Sequence, residues 1–347
     1  MIPNKTTTTQ PNPNFKHTEL GWIPKNWEVK KIESLGEIFT GGTPSTKEEA
    51  YWDGNIVWYT PTEIRKSNKY IINSEKKISK LGVKFSTSKL VPELSLIIAT
   101  RATIGEISIT KTECTFNQGL KAIKTNCLNN HIFIYYLILN SKINMMKKSC
   151  GSTFLELSTR DFKSLKLKLP PLPEQKAIAD CLGTWDKAIT KQQQLINAKQ
   201  KQHKGLRQLL LTGKKRLTNP ETGKDFDGVW VEKQMMEIGS IFTGGTPSTK
   251  ISKYWNGDII WYTPTEIKKA KKYISNSERK ITDSGIKYST SKLIPKNSII
   301  VTTRATIGEV SITTVECTMN QGLKAVKPNL DNNLQFVYYM IRNNKKE

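Results

Sequence analysis

The segment TRATIGE occurs twice in the chain, at residues 100–106 and 303–309, and each occurrence carries one arginine. A guanidinium can donate two parallel hydrogen bonds to O6 and N7 of guanine, or to a phosphate. Each arginine follows a β-rich run and lies where the sequence predicts a loop. Contact with a nucleic acid fits this chemistry, and a salt bridge, for instance between Arg101 and Glu106, is the structural alternative. The predicted contact residues are Arg101, Thr103, Arg304 and Thr306.

Two further repeated segments carry side chains that can read base edges. The segment WYTPTEI, at 58–64 and 261–267, contains a glutamate, which can accept a hydrogen bond from N4 of cytosine. Its tryptophan is predicted to be a core residue. An Asn-Gln-Gly triplet, at 117–119 and 320–322, offers amides suited to N6 and N7 of adenine, and a tight turn explains it equally well. The predicted contact residues are Thr60, Thr62, Glu63, Asn117, Gln118, Thr263, Thr265, Glu266, Asn320 and Gln321.

The run FTGGTPSTK also occurs twice, at 39–47 and 242–250. A nucleotide-binding phosphate loop requires Gly directly before Lys and Ser or Thr after it, whereas here Thr46 precedes Lys47 and Glu48 follows. The run therefore predicts either a plain turn with glycines at positive φ, or a loop that approaches DNA closely. The predicted contact residues are Thr43, Ser45, Thr46, Lys47, Thr246, Ser248, Thr249 and Lys250.

All of these segments belong to one duplication. The two copies are offset by 203 residues, the separation of Thr40 and Thr243, and about two-thirds of the paired positions in 35–124 and 238–327 are identical. Differences cluster elsewhere, for instance at 48–50 against 251–253, while every predicted contact residue has the same type in both copies. The sequence therefore predicts two domains that read the same or nearly the same half-site.

Each copy is predicted to be a mixed α/β domain. Short β-rich runs at 56–59, 96–99 and 107–110 are bounded by Gly, Pro, Ser and Thr clusters, and the apolar run HIFIYYLILN at 131–140 predicts a buried helix. Its counterpart is 334–343. The predicted fold class is α+β, with a first domain at 1–170, a helical spacer at 171–215 and a second domain at 216–347. The second copy stops at a position that corresponds to residue 144 of the first.

The spacer is predicted to be one long helix, at about 174–212, with a coiled-coil seam. Its apolar residues follow alternating steps of four and three, although Gln192, Lys199 and His203 interrupt the pattern. An amphipathic helix that lies on a core is the alternative. The residues predicted to bind a partner helix or subunit are Ile178, Leu182, Trp185, Ile189, Ile196, Leu206 and Leu210.

Composition indicates a polyanionic partner. Lysine and arginine total 54 against 30 acidic residues, a formal net charge of +24, which attracts nucleic acid over long range. A merely soluble basic protein is the alternative. No signal peptide or membrane-spanning run is evident, so we expect a cytoplasmic chain without a membrane partner. The five cysteines lack metal-ligand spacing and are expected to be reduced.

Taken with the duplication, two segments resemble the specificity subunit of type I restriction-modification enzymes. LGWIPKNWEVKKI, at 20–32, is similar to the usual opening of that family, and KLPPLPEQKAIADCL, at 168–182, is similar to the entry into its central helical region. The repeated TGGTPS resembles the front of its recognition domains. The chain departs from the family's pattern because the end of the second domain and the second long helix are absent from the sequence.

The resemblance implies a DNA-reading subunit without catalysis. Each domain would read one half of a split, near-palindromic site on double-stranded DNA, and two methyltransferase (M) subunits would dock on the helices and domains. Restriction and motor (R) subunits would add translocation and cleavage. The chain itself would hold no cofactor, while S-adenosylmethionine, ATP and Mg would belong to the partner subunits. A second copy of the chain, associating through the long helix, or a separately encoded piece could supply the missing helix.

The residues themselves offer little for catalysis. The run Asn-Pro-Asn-Phe at 12–15 lacks the second proline of an amino-methyltransferase loop. Glu278 and Lys280 have nuclease-like spacing with Asp258 upstream, but Asn55 replaces Asp258 in the first copy, which favours solvated charge. Two other functions stay open: a stand-alone DNA-binding module, and the recognition region of a single-chain methyltransferase-nuclease.

Overall fold

The structure is a computed structural model that describes residues 13–149, 155–304 and 306–344. The chain divides into two compact units, Met1–Lys191 and Gln192–Glu347. This division falls inside the predicted spacer, and the domain limits predicted from the sequence stay a prediction. Within the described ranges, no helix is both long and apolar enough to cross a lipid bilayer.

The first unit contains twelve strands among its described residues, together with five complete helices. The strands are β1 (Phe15–Thr18), β2 (Gly21–Pro24), β3 (Glu28–Lys31), β4 (Gly36–Thr40), β5 (Ile56–Tyr59), β6 (Tyr70–Ile71), β7 (Lys76–Ile78), β8 (Leu96–Ala99), β9 (Ile107–Thr110), β10 (Cys114–Phe116), β11 (Leu120–Thr125) and β12 (Lys166–Leu169). The helices are α1 (Pro61–Lys66), α2 (Lys80–Lys84), α3 (His131–Asn140), α4 (Lys142–Lys147) and α5 (Thr159–Ser164). Short 3-10 turns lie at Ile32–Ser34 and Glu49–Tyr51.

A five-stranded sheet in the order β4-β11-β8-β9-β6 lies at the centre of the first unit. Strand β6 is parallel to β9, and the other neighbours are antiparallel. A three-stranded sheet in the order β10-β5-β7 adjoins it, with β5 parallel to β10. Strands β1 and β2 form one small antiparallel pair, and β3 and β12 form another.

Both faces of the five-stranded sheet are buried. Along β8, Leu96 and Ile98 join one hydrophobic cluster, whereas Ile97 joins the other, because successive side chains of a strand point to opposite faces. The first cluster includes Phe133 and Ile138 of α3, and the second includes Tyr59 of β5. Burial on both faces explains why these strands are continuous apolar runs in the sequence.

The predicted local elements of the first copy are confirmed. Strands β5, β8 and β9 have the predicted bounds, and so does helix α3. Helix α3 begins where the Asn130 side chain accepts a hydrogen bond from the backbone N–H of Phe133, at 2.9 Å, which is a standard N-cap. Local capping and apolar pattern therefore agree with the tertiary fold here.

The second unit repeats the five-stranded and three-stranded sheets of the first. Its strands are β13 (Gly239–Thr243), β14 (Trp255–Tyr262), β15 (Tyr273–Ile274), β16 (Lys280–Ile281), β17 (Ile299–Thr302), β18 (Val310–Thr313), β19 (Thr318–Met319) and β20 (Leu323–Pro328). Its complete helices are α7 (Met235–Ile238), α8 (Pro264–Lys269), α9 (Asp283–Lys287) and α10 (Leu334–Asn343), with a 3-10 turn at Ser252–Tyr254; α6 denotes the long helix Leu172–Leu211, which belongs to both units. The sheet orders β13-β20-β17-β18-β15 and β16-β14-β19 match those of the first unit.

Helix α6 is 40 residues long and confirms the predicted spacer helix. It begins directly after Pro170 and Pro171, and Gln175 in its first turn donates from Nε2 to the carbonyl of Pro170, at 3.0 Å. Gly183 lies within the helix without ending it. The fold is therefore the predicted one: two duplicated mixed α/β domains joined by a long helix.

Helix α6 is held to the first unit by a polar contact. Tyr136 Oη of α3 donates to Asp186 Oδ2 at 2.5 Å, and Lys69 Nζ lies 3.5 Å from the same oxygen. Burial raises the pKa of the Tyr136 hydroxyl, and the bonded carboxylate of Asp186 raises it further. Tyr136 therefore keeps its proton and acts as a hydrogen-bond donor to the helix.

Candidate nucleic-acid interface

The four repeated segments of the first copy converge on one edge of the first unit. Strands β5 and β10 are parallel, so their carboxyl ends lie side by side. The backbone N–H of Asn117 donates to the Tyr59 carbonyl at 2.9 Å. The Thr100 amide donates to the Gly119 carbonyl at 2.9 Å, and the Gly42 amide to the Phe116 carbonyl at 2.9 Å. We call this surface the first loop cluster, and it consists of residues 40–47, 60–63, 100–103 and 117–119.

The second copy has the same arrangement. The backbone N–H of Asn320 donates to the Tyr262 carbonyl at 2.9 Å. The backbone N–H of Thr303 donates to the Gly322 carbonyl at 2.9 Å, and that of Gly245 donates to the Met319 carbonyl at 2.8 Å. This second loop cluster consists of residues 243–250, 263–266, 303, 304, 306 and 320–322. All predicted contact residues therefore lie in one or the other cluster, although their separation along each copy reaches about 75 positions.

The glycines of the TGGTPSTK run are needed for close packing, which corrects the expectation of positive φ. Gly41 and Gly42 are not among the residues with positive φ. A Cβ on Gly42 would lie 2.6 Å from the backbone nitrogen of Ser88, and one on Gly41 would lie 2.2 Å from the carbonyl oxygen of Asn117. The Gly42 carbonyl also accepts from Trp58 Nε1, at 2.9 Å, and this tryptophan is buried as predicted. Backbone proximity, and not turn geometry, explains the glycines.

The side-chain amides of Asn117 and Gln118, in the first loop cluster, have two different environments. Asn117 is held on both sides: its Oδ1 accepts from the Gly119 amide at 2.8 Å, and its Nδ2 donates to Thr43 Oγ1 at 3.0 Å. Thr43 Oγ1 donates in turn to Gln118 Oε1. Gln118 is exposed, and its Nε2 has no hydrogen-bond partner among the described residues. Gln118 therefore keeps free donors for an acceptor on a base, whereas Asn117 fixes the turn.

Thr60 and Glu63 form a capping box at the start of α1. The Glu63 carboxylate accepts from the Thr60 amide at 2.8 Å through Oε2, and from the Glu75 amide at 2.7 Å through Oε1. In the second copy, burial alone would raise the pKa of Glu266, but the hydrogen bonds that it accepts hold the pKa below its ordinary value. The pattern Thr-x-x-Glu before a helix is a known capping signal. Cytosine contact by these glutamates stays a prediction, while Thr62 and Thr265 are exposed beside them.

Arg101 forms an ion pair, but its partner is Glu156 and not Glu106. Arg101 donates from Nε to Glu156 Oε2 at 3.1 Å, and its Nη2 donates to the same oxygen. Glu106 pairs instead with Lys142 Nζ, at 2.5 Å. The structural alternative for Arg101, a salt bridge, is therefore present, but the predicted partner Glu106 was wrong. Glu156 lies outside the aligned copies, so no repeated pattern in the sequence pointed to it.

Lys121 is a further residue of this edge that the sequence did not single out. It is 4% exposed, and its Nζ donates to Thr100 Oγ1 at 3.2 Å. Burial lowers the pKa of Lys121; the Glu156 carboxylate opposes that shift, and the Arg101 guanidinium adds to it. Its counterpart in the second copy, Lys324, is exposed. A lysine within the apolar run of β11 was the signal that could have identified it.

We expect Lys121 to make the free energy of unfolding rise with pH. Its pKa is lowered in the folded chain and is about 10.4 in the unfolded chain. Between those two values the unfolded state binds more protons, so stability increases as pH rises. Denaturant unfolding of the wild type and Lys121→Met between about pH 7 and pH 10 should show a smaller rise in the variant. Lys324→Met is the matched control, and equal slopes in all three proteins would contradict the prediction.

The comparison with known families decides what these two units are. A family described as the type I restriction modification DNA specificity domain matches residues 24–200 and 228–347. The chain belongs to this family. Each matched stretch contains one loop cluster, so the duplicated units are two specificity domains. The resemblance seen in the segments at 20–32 and 168–182 is thereby confirmed.

Relatives of this specificity-domain chain include named specificity subunits. The chain is 31% identical over 263 residues to the type I restriction enzyme MjaIX specificity subunit of Methanocaldococcus jannaschii, an alignment that covers 71% of this chain and 59% of the relative. It is 37% identical over 174 residues to the EcoprrI specificity subunit of Escherichia coli, covering 47% and 43%. The chain thus spans less than two-thirds of the length of either relative.

Solved structures share the fold of this specificity-domain chain. The HsdS subunit from Thermoanaerobacter tengcongensis superposes with a TM-score of 0.52 at 16% identity, over 92% of this chain and 80% of that one. A chain from a study of complex assembly and conformational transition of the type I R-M system gives a TM-score of 0.59 at 15% identity, with the same coverage. At such identities the similarity concerns the fold alone.

The specificity domains leave an apolar stripe exposed on helix α6. Trp185 and Ile189 are each 66% exposed, and Leu182, Ile196 and Leu206 are exposed as well. The remaining two predicted partner-binding residues, Ile178 and Leu210, are partly buried. Large exposed apolar side chains in a row mark a surface that another molecule can cover. Their role as a partner-binding surface stays a prediction.

The candidate catalytic residues Asp258, Glu278 and Lys280 all lie within the described residues. Within the described ranges, no group of three or more His, Cys, Asp or Glu residues could hold a metal ion. The Glu278 amide donates to Glu266 Oε1 at 2.8 Å, and the Arg279 guanidinium lies 5.8 Å from the centre of the Trp255 ring. Residue 12 of the Asn-Pro-Asn-Phe run lies outside the described residues.

Proposed function

We propose that the chain is the DNA-reading subunit of a type I restriction-modification complex and has no catalytic centre of its own. The first loop cluster contacts one half of a split site in double-stranded DNA, and the second loop cluster contacts the other half. The observation that carries this proposal is the convergence of the four repeated segments at one edge of each unit. The net charge of +24 supports it, because a basic chain attracts the phosphate backbone.

The partners in this proposal follow from the family. Two methyltransferase subunits dock on α6 and the specificity domains, and restriction and motor subunits join that complex. S-adenosylmethionine, ATP and Mg bind to those partner subunits. The exposed stripe of α6 is the proposed docking surface, and it also allows two copies of the chain to associate. The cytoplasm is the proposed location, because these partners act on cellular DNA.

Co-expression with the methyltransferase subunit of the same type I system tests the proposal. Native mass spectrometry of the purified complex gives its composition, and mapping of methylated adenines on the DNA of the expressing cell gives its target. A stable complex that methylates a split motif is the expected result. Purification of this chain alone, without motif-specific methylation, would instead favour the stand-alone DNA-binding module. A single longer natural polypeptide that contains this chain and methylates DNA without a partner would favour the recognition region of a single-chain enzyme.

We expect the two half-sites to be the same, or nearly so, and inverted. The predicted contact residues have the same type in both copies, and the backbone hydrogen bonds that position them are equivalent in the two loop clusters. Direct readout depends on which donors and acceptors face the base edges, so equivalent surfaces select equivalent bases. Selection from a double-stranded library with two randomised blocks measures the half-sites. Two unrelated half-sites would contradict this prediction.

A further inference from the structure

Glu156 is held beside Arg101 by backbone pairing. The two residues form an antiparallel bridge, and the Leu157 amide donates to the Thr100 carbonyl at 2.8 Å. Side chains of directly paired residues lie on the same face of the paired strands, which explains why their charged groups meet. Leu157 is fully buried in the hydrophobic cluster of the first unit, so the segment that carries Glu156 is anchored.

The contact uses only part of the donor set of Arg101. An arginine side chain has five N–H donors in a fixed plane, one on Nε and two on each terminal nitrogen. Glu156 Oε2 accepts one from Nε and one from Nη2. Nη1 has no hydrogen-bond partner among the described residues, and Nη2 retains its second N–H. The remaining donors form the end of the guanidinium, the edge that can bind O6 and N7 of guanine.

We propose that Glu156 is a positioning residue for DNA recognition, which fixes the Arg101 guanidinium so that its terminal edge reads a guanine in one half-site. This inference rests on the proposed function and extends it by naming a base. An arginine fixed in one plane loses less conformational entropy when it binds, and it discriminates by geometry as well as by charge. The Arg101 side chain is 43% exposed and the Glu156 side chain is 38% exposed, so the pair is accessible to DNA.

The second copy provides an internal comparison. Arg304 occupies the position equivalent to Arg101, and it has no ion-pair partner among the described residues. Changes at Glu156 should therefore affect one half-site, while changes at Arg304 should affect the other.

The test uses the full chain with whatever subunit it binds on co-expression, and the double-stranded library with two randomised blocks as probe. We expect Arg101→Ala to abolish a guanine preference in one half-site and Glu156→Ala to weaken the same preference by roughly 5- to 20-fold. Total affinity for non-specific DNA should not fall in Glu156→Ala, because a negative charge is removed from the interface. Arg304→Ala should change only the other half-site.

Additional variants separate positioning from folding. Glu156→Gln keeps an acceptor for the guanidinium and should retain part of the preference, whereas Arg101→Lys keeps the charge without the planar donors and should lose it. A Glu156→Ala variant with unchanged guanine preference, or with equal loss at both half-sites, would overturn the inference. A wild-type chain that selects no sequence would overturn the proposed function and this inference together.

Discussion

Replacement of Gly42 by alanine is expected to destabilise the first unit by roughly 3 kcal/mol or more. The added Cβ would lie 2.6 Å from the Ser88 nitrogen and 2.7 Å from the Thr87 carbonyl carbon, which are backbone atoms that cannot move independently. Relief of this clash would shift the loop and weaken the hydrogen bonds that the Gly42 carbonyl accepts from Trp58 Nε1 and Ser88 Oγ, at 2.9 and 2.8 Å. Denaturant unfolding followed by tryptophan fluorescence measures the loss.

Gly205→Ala is the matched control for this substitution. Gly205 lies within α6, and a Cβ there would have nothing within 4 Å. Because a Cβ fits there, we expect alanine to stabilise the helix by about 0.5 to 1 kcal/mol relative to glycine. The same change at Gly245 should resemble Gly42→Ala, because its Cβ would lie 2.4 Å from the Ser291 nitrogen. Wild-type stability in Gly42→Ala would show that the loop relaxes without cost.

Truncation of the exposed stripe on α6 should have the second large effect, on assembly. We expect Trp185→Ala and Ile189→Ala each to weaken binding of the proposed methyltransferase subunit by about 30-fold or more, as for buried anchors of protein interfaces. Each side chain is 66% exposed in the free chain, so its loss should change the free energy of unfolding little. Calorimetric titration of the partner into each variant measures the affinity.

Lys187→Ala is a suitable control on the same helix. Lys187 is exposed and lies two residues after Trp185, which places it about 200° around the helix axis. The Lys187→Ala variant should bind the partner with nearly the affinity of the wild type. If the Trp185 and Ile189 variants also bind with wild-type affinity, the stripe is not the docking surface, and another face of the specificity domains must hold the partner.

Local rules were sufficient for much of the fold. Helix α3 and strands β5, β8 and β9 have the bounds predicted from apolar runs and their Gly, Pro and polar borders. Thr60 and Glu63 also carry a local signal, because Thr-Pro-Thr-Glu is a capping box with proline at the first helical position. A local role therefore accounts for side chains that were also predicted to contact bases.

The sequence by itself determined the duplication, three strands and one helix of the first copy, the long helix and the family, because identity at a fixed offset and apolar periodicity are properties of the chain. Only the tertiary structure decided which side chains meet. Arg101 and Glu156 are 55 residues apart, and the Glu156 carboxylate also acts on the pKa of the buried Lys121. The close approach of Gly42 to Ser88 likewise joins two loops. Such contacts depend on strand pairing and on the packing of one loop against another, which no local pattern specifies.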